Sequence, residues 1–179
     1  MDINKAIEMA KEMGFDTAAP MDPKKLVFLT EVRDMCAACE RGYGKSWACP
    51  PACGTLEEIE ERARPYTAGL LVQTICRMDD EYDMEAWYTT GKLHGERFLE
   101  LTFKFEAMEQ ILAMGTGGCR RCEECTYPDE PCRNPELIFP SMEGCGLLVS
   151  SVCKDNGVTY YYGPNTVAYT CCYLFNPEA

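Results

Sequence analysis

Eight of the 13 cysteines in this chain are gathered into two quartets, and this clustering limits what the chain can fold around. The first quartet is Cys36, Cys39, Cys49 and Cys53, with the spacing C-x2-C-x9-C-x3-C. The second quartet is Cys119, Cys122, Cys125 and Cys132, with the spacing C-x2-C-x2-C-x6-C. Thiols clustered in this way form either metal sites or a disulfide network.

The rest of the sequence disfavours the disulfide alternative. The chain begins MDINKAIEMAKEMGFD, which is a charged amphipathic pattern rather than a secretory signal. An odd number of cysteines would leave one thiol unpaired, and 179 residues can bury a core without covalent cross-links. No apolar run approaches the length that crosses a membrane. We therefore expect a cytoplasmic metal-binding protein without a membrane partner.

The spacing of the second quartet favours an iron–sulfur cluster over zinc. Three cysteines separated by two residues each match the first three positions of the bacterial ferredoxin run, whereas zinc ligands more often come as separated pairs. The Cys-Pro pair typical of ferredoxins occurs in the first quartet, at Cys49-Pro50. We predict two [4Fe–4S] clusters, with zinc as the alternative at both quartets.

The assignment of ligands to clusters stays open at this point. In two-cluster ferredoxins the fourth cysteine of one run serves the other cluster, and Cys53 and Cys132 could exchange in the same way. Cys53 is the weakest ligand candidate, because it follows the rigid Cys49-Pro50-Pro51 segment. Without Cys53 the first site would have three cysteines and one open iron.

Most of the remaining cysteines occupy apolar runs, where cysteine packs as a small hydrophobic residue. We predict core packing for Cys76, Cys153, Cys171 and Cys172. Cys145 is different because it lies between two glycines, so it is the reserve candidate for a missing ligand or a reactive thiol. The only histidine, His94, is predicted to be a core-edge residue with an ordinary hydrogen bond.

The pattern of apolar residues predicts interleaved helices and strands. Helices are expected over 2–13, 56–64, 84–114 and 141–156, and strands over 24–32, 68–76, 158–162 and 166–175. The T-x-x-E pattern from Thr55 to Glu58 predicts a capping box at the start of the second helix. No low-complexity linker divides the chain. We therefore predict a single α/β or α+β domain over 1–179, with three to five strands, three or four helices and two cluster-binding loops.

The formal net charge of −12 makes a nucleic-acid partner unexpected, because phosphate binding needs clustered Lys and Arg. An acidic surface suits a basic redox partner protein, since complementary charge speeds encounter. The local exception is Arg120, Arg121 and Arg133 in the second cysteine loop, where cations would raise the potential of a cluster.

Three ordered motifs resemble one known family. These are C-x2-C followed by YGKSWACPP, then C-x2-C-x2-C-x-YP-x2-PCRNP, and then PSMEG-x-G. Over residues 33–175 they resemble the cysteine-rich predicted metal-binding proteins of anaerobic bacteria and archaea, a family without a defined reaction. The resemblance implies a cytoplasmic, oxygen-sensitive iron–sulfur protein and ligand roles for Cys36, Cys39, Cys49, Cys119, Cys122, Cys125 and Cys132. It carries no ligand role over to Cys53 or Cys145.

Three functions are consistent with these observations. The first is an electron-transfer or accessory redox role in anaerobic metabolism, with eight cysteine ligands. The second is an enzyme that uses an open iron for sulfur transfer or a reductive step, with a pocket near Cys49, Cys53, Lys45 and Cys145. The third is a zinc-stabilised interaction module. The sequence specifies neither a substrate nor whether the protein is an enzyme.

Overall fold

The computed structural model of the chain describes residues 1–38 and 42–177. Within these residues the helices are α1 (Ile3–Glu12), α2 (Thr30–Ala37), α3 (Leu56–Ala63), α4 (Met84–Glu106) and α5 (Val149–Asp155). The strands are β1 (Thr17–Met21), β2 (Ala68–Arg77), β3 (Leu112–Met114) and β4 (Thr166–Phe175), and single 3₁₀ turns occur at Pro23–Lys25 and Pro135–Leu137.

The strands form one antiparallel sheet in the order β1-β2-β4-β3. The two ten-residue strands pair along their whole length, from Ala68 opposite Phe175 to Arg77 opposite Thr166. Antiparallel pairing with helices outside the sheet is an α+β architecture. This confirms the predicted fold class in its α+β form. The strand number lies within the predicted range, and the described residues contain five α-helices where three or four were expected.

Side chains alternate between the two faces of the sheet, and each face carries its own core. On one face Leu70 and Tyr173 pack against α1 and α4. On the other face Leu71 and Cys172 pack against α3 and α5. Both central strands are therefore buried on both sides, which explains their nearly continuous apolar sequences.

Local signals in the sequence set several helix boundaries. The Asp2 carboxylate accepts from two backbone N–H groups at the start of α1, and the Asp83 carboxylate accepts from the Ala86 N–H at the start of α4. Thr55 and Glu58 form the predicted capping box of α3, in which each side chain bonds the backbone of the other residue. No helix among the described residues is long and apolar enough to cross a membrane.

Two predicted elements are wrong in type. Residues 24–32 are not a strand, because Asp22 and Pro23 start a 3₁₀ turn and Thr30 already belongs to α2. Residues 158–162 do not form a hairpin strand; instead the Thr159 carbonyl accepts from the Gln73 side chain of β2, and the Tyr162 hydroxyl donates to it.

Two predicted helices are too long. The helix expected over 84–114 ends at Glu106, and Leu112–Met114 pairs with β4 instead. The helix expected from 141 begins at Val149, because the preceding residues form a turn in which Gly146 has φ +84°. In both cases contacts with distant segments decide where the regular element stops.

Candidate metal centre

The second cysteine loop connects β3 to the 3₁₀ turn at Pro135–Leu137. Its four cysteines line one small cavity of about 30 Å³, together with residues of the first loop. These cysteines are Cys119, Cys122, Cys125 and Cys132. Residues that are 13 positions apart in the chain thus border the same cavity.

Nitrogen donors surround the sulphurs of this loop. The backbone N–H of Asn134 donates to Cys132 Sγ at 3.4 Å, and its side-chain Nδ2 donates to Cys122 Sγ at 3.6 Å. The Arg133 guanidinium donates to the carbonyl oxygen of Glu124 at 2.9 Å, which ties the two halves of the loop together. Such donors stabilise negative charge on sulphur.

The pKa of the Cys125 thiol is lowered by its surroundings. Partial burial raises this pKa, but backbone N–H groups of Tyr127 and Trp47 donate to the sulphur and outweigh the burial. The Ser46 hydroxyl and the Arg133 charge act in the same direction. Cys125 therefore sits where a thiolate, the form that binds metal, is favoured.

The first cysteine loop extends from α2 to α3. Cys36 lies in the last turn of α2, whereas Cys49 and Cys53 occupy consecutive turns, joined by a bond from the Cys53 N–H to the Cys49 carbonyl at 3.1 Å. Arg33, one helical turn before Cys36, donates to Gly54 O at 2.8 Å and directs its face of α2 toward Cys53. The prediction for Cys39 lies outside the described residues.

The two cysteine loops touch each other. The backbone N–H of Cys119 donates to the Cys49 sulphur. The Ser46 hydroxyl lies within hydrogen-bonding reach of Cys49 in its own loop and of Cys125 in the second loop, and it can donate its one hydrogen to either sulphur. Gly118 of the second loop lies close to this sulphur, because a Cβ there would be 3.9 Å from Cys49 Sγ. Burial is the largest influence on Cys49 and raises the pKa of its thiol. The contact between the loops was not evident in the sequence.

Cys145 lies beside Cys53, as its role of reserve candidate would require. Cys145 is 1% exposed, and burial together with the nearby Cys53 raises the pKa of its thiol to about 12. The Cys53 sulphur lies 3.9 Å from Gly144 O, in the turn that contains Cys145. Burial also raises the pKa of the Cys53 thiol, and the charges of Arg33 and Arg62 offset only part of the effect of burial at both thiols. Cys53 and Cys145, the two candidates for the fourth ligand of the first quartet, thus lie side by side in the structure.

The other cysteines are buried, as predicted, and His94 is buried more deeply than its predicted position at the edge of the core. Cys76, Cys153, Cys171 and Cys172 are each 0% exposed. His94 is also 0% exposed, with Nδ1 2.9 Å from Thr74 Oγ1 and Nε2 3.1 Å from Cys171 Sγ. Burial, then the nearby Arg97, lowers the pKa of His94 to about 3, so the ring is neutral at pH 7. These contacts make His94 a core residue.

A larger cavity, of about 350 Å³, lies between α4 and the start of the second cysteine loop. The sequence singled out Arg120 and Arg121 as a basic patch but did not indicate that they border a cavity. The sequence signal for this cavity is the pair Gly91 and Gly95, one turn apart on α4, because neither glycine has a side chain to fill the space beside the helix. In the described residues no three His, Cys, Asp or Glu side chains form a group arranged to hold one metal ion.

Comparison with known families gives one match. A family model described as a predicted metal-binding protein (DUF2284) matches residues 19–175, which include both quartets. Comparisons with curated proteins and with solved structures find no significant match.

Proposed function

The chain belongs to the predicted metal-binding protein family DUF2284, and on this basis we propose that it binds two [4Fe–4S] clusters and transfers electrons. The observation that carries the proposal is the shared cavity of Cys119, Cys122, Cys125 and Cys132. The donor set fits, since soft thiolates favour iron–sulfur clusters and the N–H groups around the sulphurs offset their charge.

The first quartet is the proposed second site. Cys49 and Cys53 are adjacent, and Arg33 links the face of α2 that carries Cys36 to the backbone beside Cys53. We assign Cys36, Cys39, Cys49 and Cys53 to this cluster, with Cys145 as the alternative fourth ligand. Burial of Cys53 and Cys145 would keep water away from that side of the cluster.

The contact between the loops supports electron transfer. The clusters supply reversible one-electron chemistry when bound. The N–H of Cys119 bonds the sulphur of Cys49, so a ligand of one cluster would touch a ligand of the other. Single electrons could pass between neighbours this close, and the acidic surface would dock a basic redox partner protein. Cytoplasmic location and the lack of a nucleic-acid partner stay predictions.

The test is metal analysis of protein purified without oxygen. We expect about eight iron and eight sulfide ions per chain, and reduced clusters whose electron paramagnetic resonance signals are broadened by mutual interaction. A colourless protein with stoichiometric zinc would overturn the proposal. Two clusters without magnetic interaction would contradict the electron path between them.

Cysteine variants test the ligand assignment. Cys132→Ala and Cys53→Ala should each reduce iron to about four per chain, since each removes a ligand of one cluster. The control is Cys76→Ala, a buried cysteine in β2, which should retain all iron. Loss of iron from Cys145→Ala but not from Cys53→Ala would assign the fourth ligand to Cys145.

An enzyme with an open iron is the second candidate function. The observation in its favour is a cavity of about 140 Å³ lined by Arg62 and Cys145, beside Cys53 of the first quartet, so a small molecule there would lie next to the cluster whose fourth ligand is undecided. A signal from one cluster that changes on adding a small thiol would favour this candidate.

A further inference from the structure

The 350 Å³ cavity is bounded by α4, by Tyr169 of β4 and by the segment from Gly115 to Cys119. Its volume lies in the range of sites that bind small molecules. Cys119, Arg121 and Leu137 also line the small cavity of the second quartet, so the two cavities are neighbours.

The cavity is basic, although the chain is strongly acidic. Lys92, Arg120 and Arg121 line it, and Glu96 is the one acidic residue among the lining side chains. Lys92 lies 4.0 Å from Glu96, while the two arginines form no ion pair with any described residue. Arginine presents a planar fork of donors that matches carboxylate and phosphate groups. The charges therefore point to an anionic ligand.

Aromatic rings form the rest of the wall. The Arg120 guanidinium lies over the Trp87 ring at 5.9 Å, and the Trp87 carbonyl accepts from the Tyr169 hydroxyl at 2.7 Å. Tyr88 and Phe139 also border the cavity. Aromatic side chains favour flat partners that can stack against them.

Two glycines shape the floor of the cavity. A Cβ at Gly91 would lie 3.0 Å from the Tyr169 ring, so glycine lets α4 approach β4 closely. A Cβ at Gly95 would have no atom within 4 Å, so a side chain there would project into open space. The gap at Gly95 gives the ligand room beside the aromatic wall.

We propose that this cavity binds a small aromatic anion, a planar ring that carries a carboxylate or a phosphate group. The ring lies against Trp87 and Tyr169, and the anionic group bonds Arg120 and Arg121. The ligand then lies next to Cys119. This site goes beyond the proposed function, because its side chains bind the ligand whether or not the cysteines hold iron.

Isothermal titration calorimetry of the anaerobically purified protein tests the site, with iron measured in the same sample. The probes are phenyl phosphate and benzoate, which differ in the anionic group. The matched controls are inorganic phosphate, which lacks the ring, and benzyl alcohol, which lacks the charge. We expect phenyl phosphate or benzoate to bind with a stoichiometry of one molecule per chain and at least tenfold more tightly than either control. No saturable binding of either probe, or equal binding of inorganic phosphate, would overturn the proposal.

Gly95→Leu is the decisive variant, because its Cβ enters open space and the rest of its side chain occupies the cavity. Leu also favours a helix more than Gly, so the melting temperature should rise by about 2–4 °C while affinity falls at least tenfold. Arg120→Gln should also weaken binding about tenfold, whereas Lys104→Gln, on α4 and outside the cavity, should not. Unchanged affinity in Gly95→Leu would refute the site. Absence of iron in a sample that binds the probe would refute the proposed function and leave this site standing.

Discussion

The turn at Gly146 contacts both helices that flank the first cysteine loop, α2 before the loop and α3 after it. The Gly146 carbonyl oxygen accepts from the Leu29 N–H at 2.8 Å, just before α2, and its Cα faces Leu56, the first residue of α3. A Cβ here would overlap Leu56 Cδ1 and lie 3.1 Å from Leu29 O. Because α2 carries Cys36 and α3 follows Cys53, a side chain at this position should displace these proposed metal ligands.

The cost of Gly146→Ala has two parts. The residue has φ +84°, and a left-handed conformation costs a residue with a Cβ about 1–2 kcal/mol. Overpacking against Leu56 and the Leu29 backbone adds about 1–3 kcal/mol. The expected loss in the free energy of unfolding is therefore about 2–5 kcal/mol.

Gly157→Ala is the matched control. Gly157 also has positive φ, at +71°, but a Cβ there would meet nothing within 4 Å. This variant should lose only the backbone cost, about 1–2 kcal/mol. The difference between the two variants isolates the close approach at Gly146, because the backbone cost is common to both.

The assay is urea unfolding combined with iron analysis. Gly146→Ala should unfold at lower urea than Gly157→Ala and should retain about four iron per chain, since the second quartet is not displaced. Equal stability of the two variants would refute the steric argument. Full iron content in a destabilised Gly146→Ala protein would refute the link to the first site.

Three further predictions concern single polar groups. His94 has a pKa of about 3 in the folded protein, against an ordinary pKa of 6.5. The contribution of the neutral, buried ring to the free energy of unfolding is therefore complete above pH 6.5 and is lost as the pH falls toward 3. Urea unfolding should show about 2 kcal/mol less stability at pH 5 than at pH 8, a difference that His94→Gln should reduce. In the cluster-loaded protein, Ser46→Ala should lower the reduction potential of one cluster by about 20–60 mV, which is the equivalent of one hydrogen bond to sulphur. Redox titration measures this shift, and the control Ser151→Ala, at an exposed site of α5, should leave the potential unchanged. Thr55→Ala removes the α3 cap and should cost about 1 kcal/mol in urea unfolding, whereas Thr89→Ala at an exposed site of α4 should cost nothing.

Sequence features that act within a few residues predicted three of the regular elements correctly. The capping box at Thr55 predicted α3, and the apolar runs predicted β2 and β4, since these features act within a few residues. Residues 24–32 were mistaken for a strand because their apolar run also fits the turn and helix that form there. Such short runs are ambiguous until a partner strand or helix is known.

The sequence alone determined that the chain is rich in cysteines and that eight of them are clustered in two quartets. Those conclusions needed only residue type and spacing, because the chemistry of a thiolate does not depend on the fold. Tertiary structure alone decided that Cys49 lies against Cys119, that Cys145 lies beside Cys53, and that arginines and aromatic rings enclose a cavity. These neighbours are far apart in the chain, and only the packing of α2, α3 and α4 around one sheet brings them within contact distance.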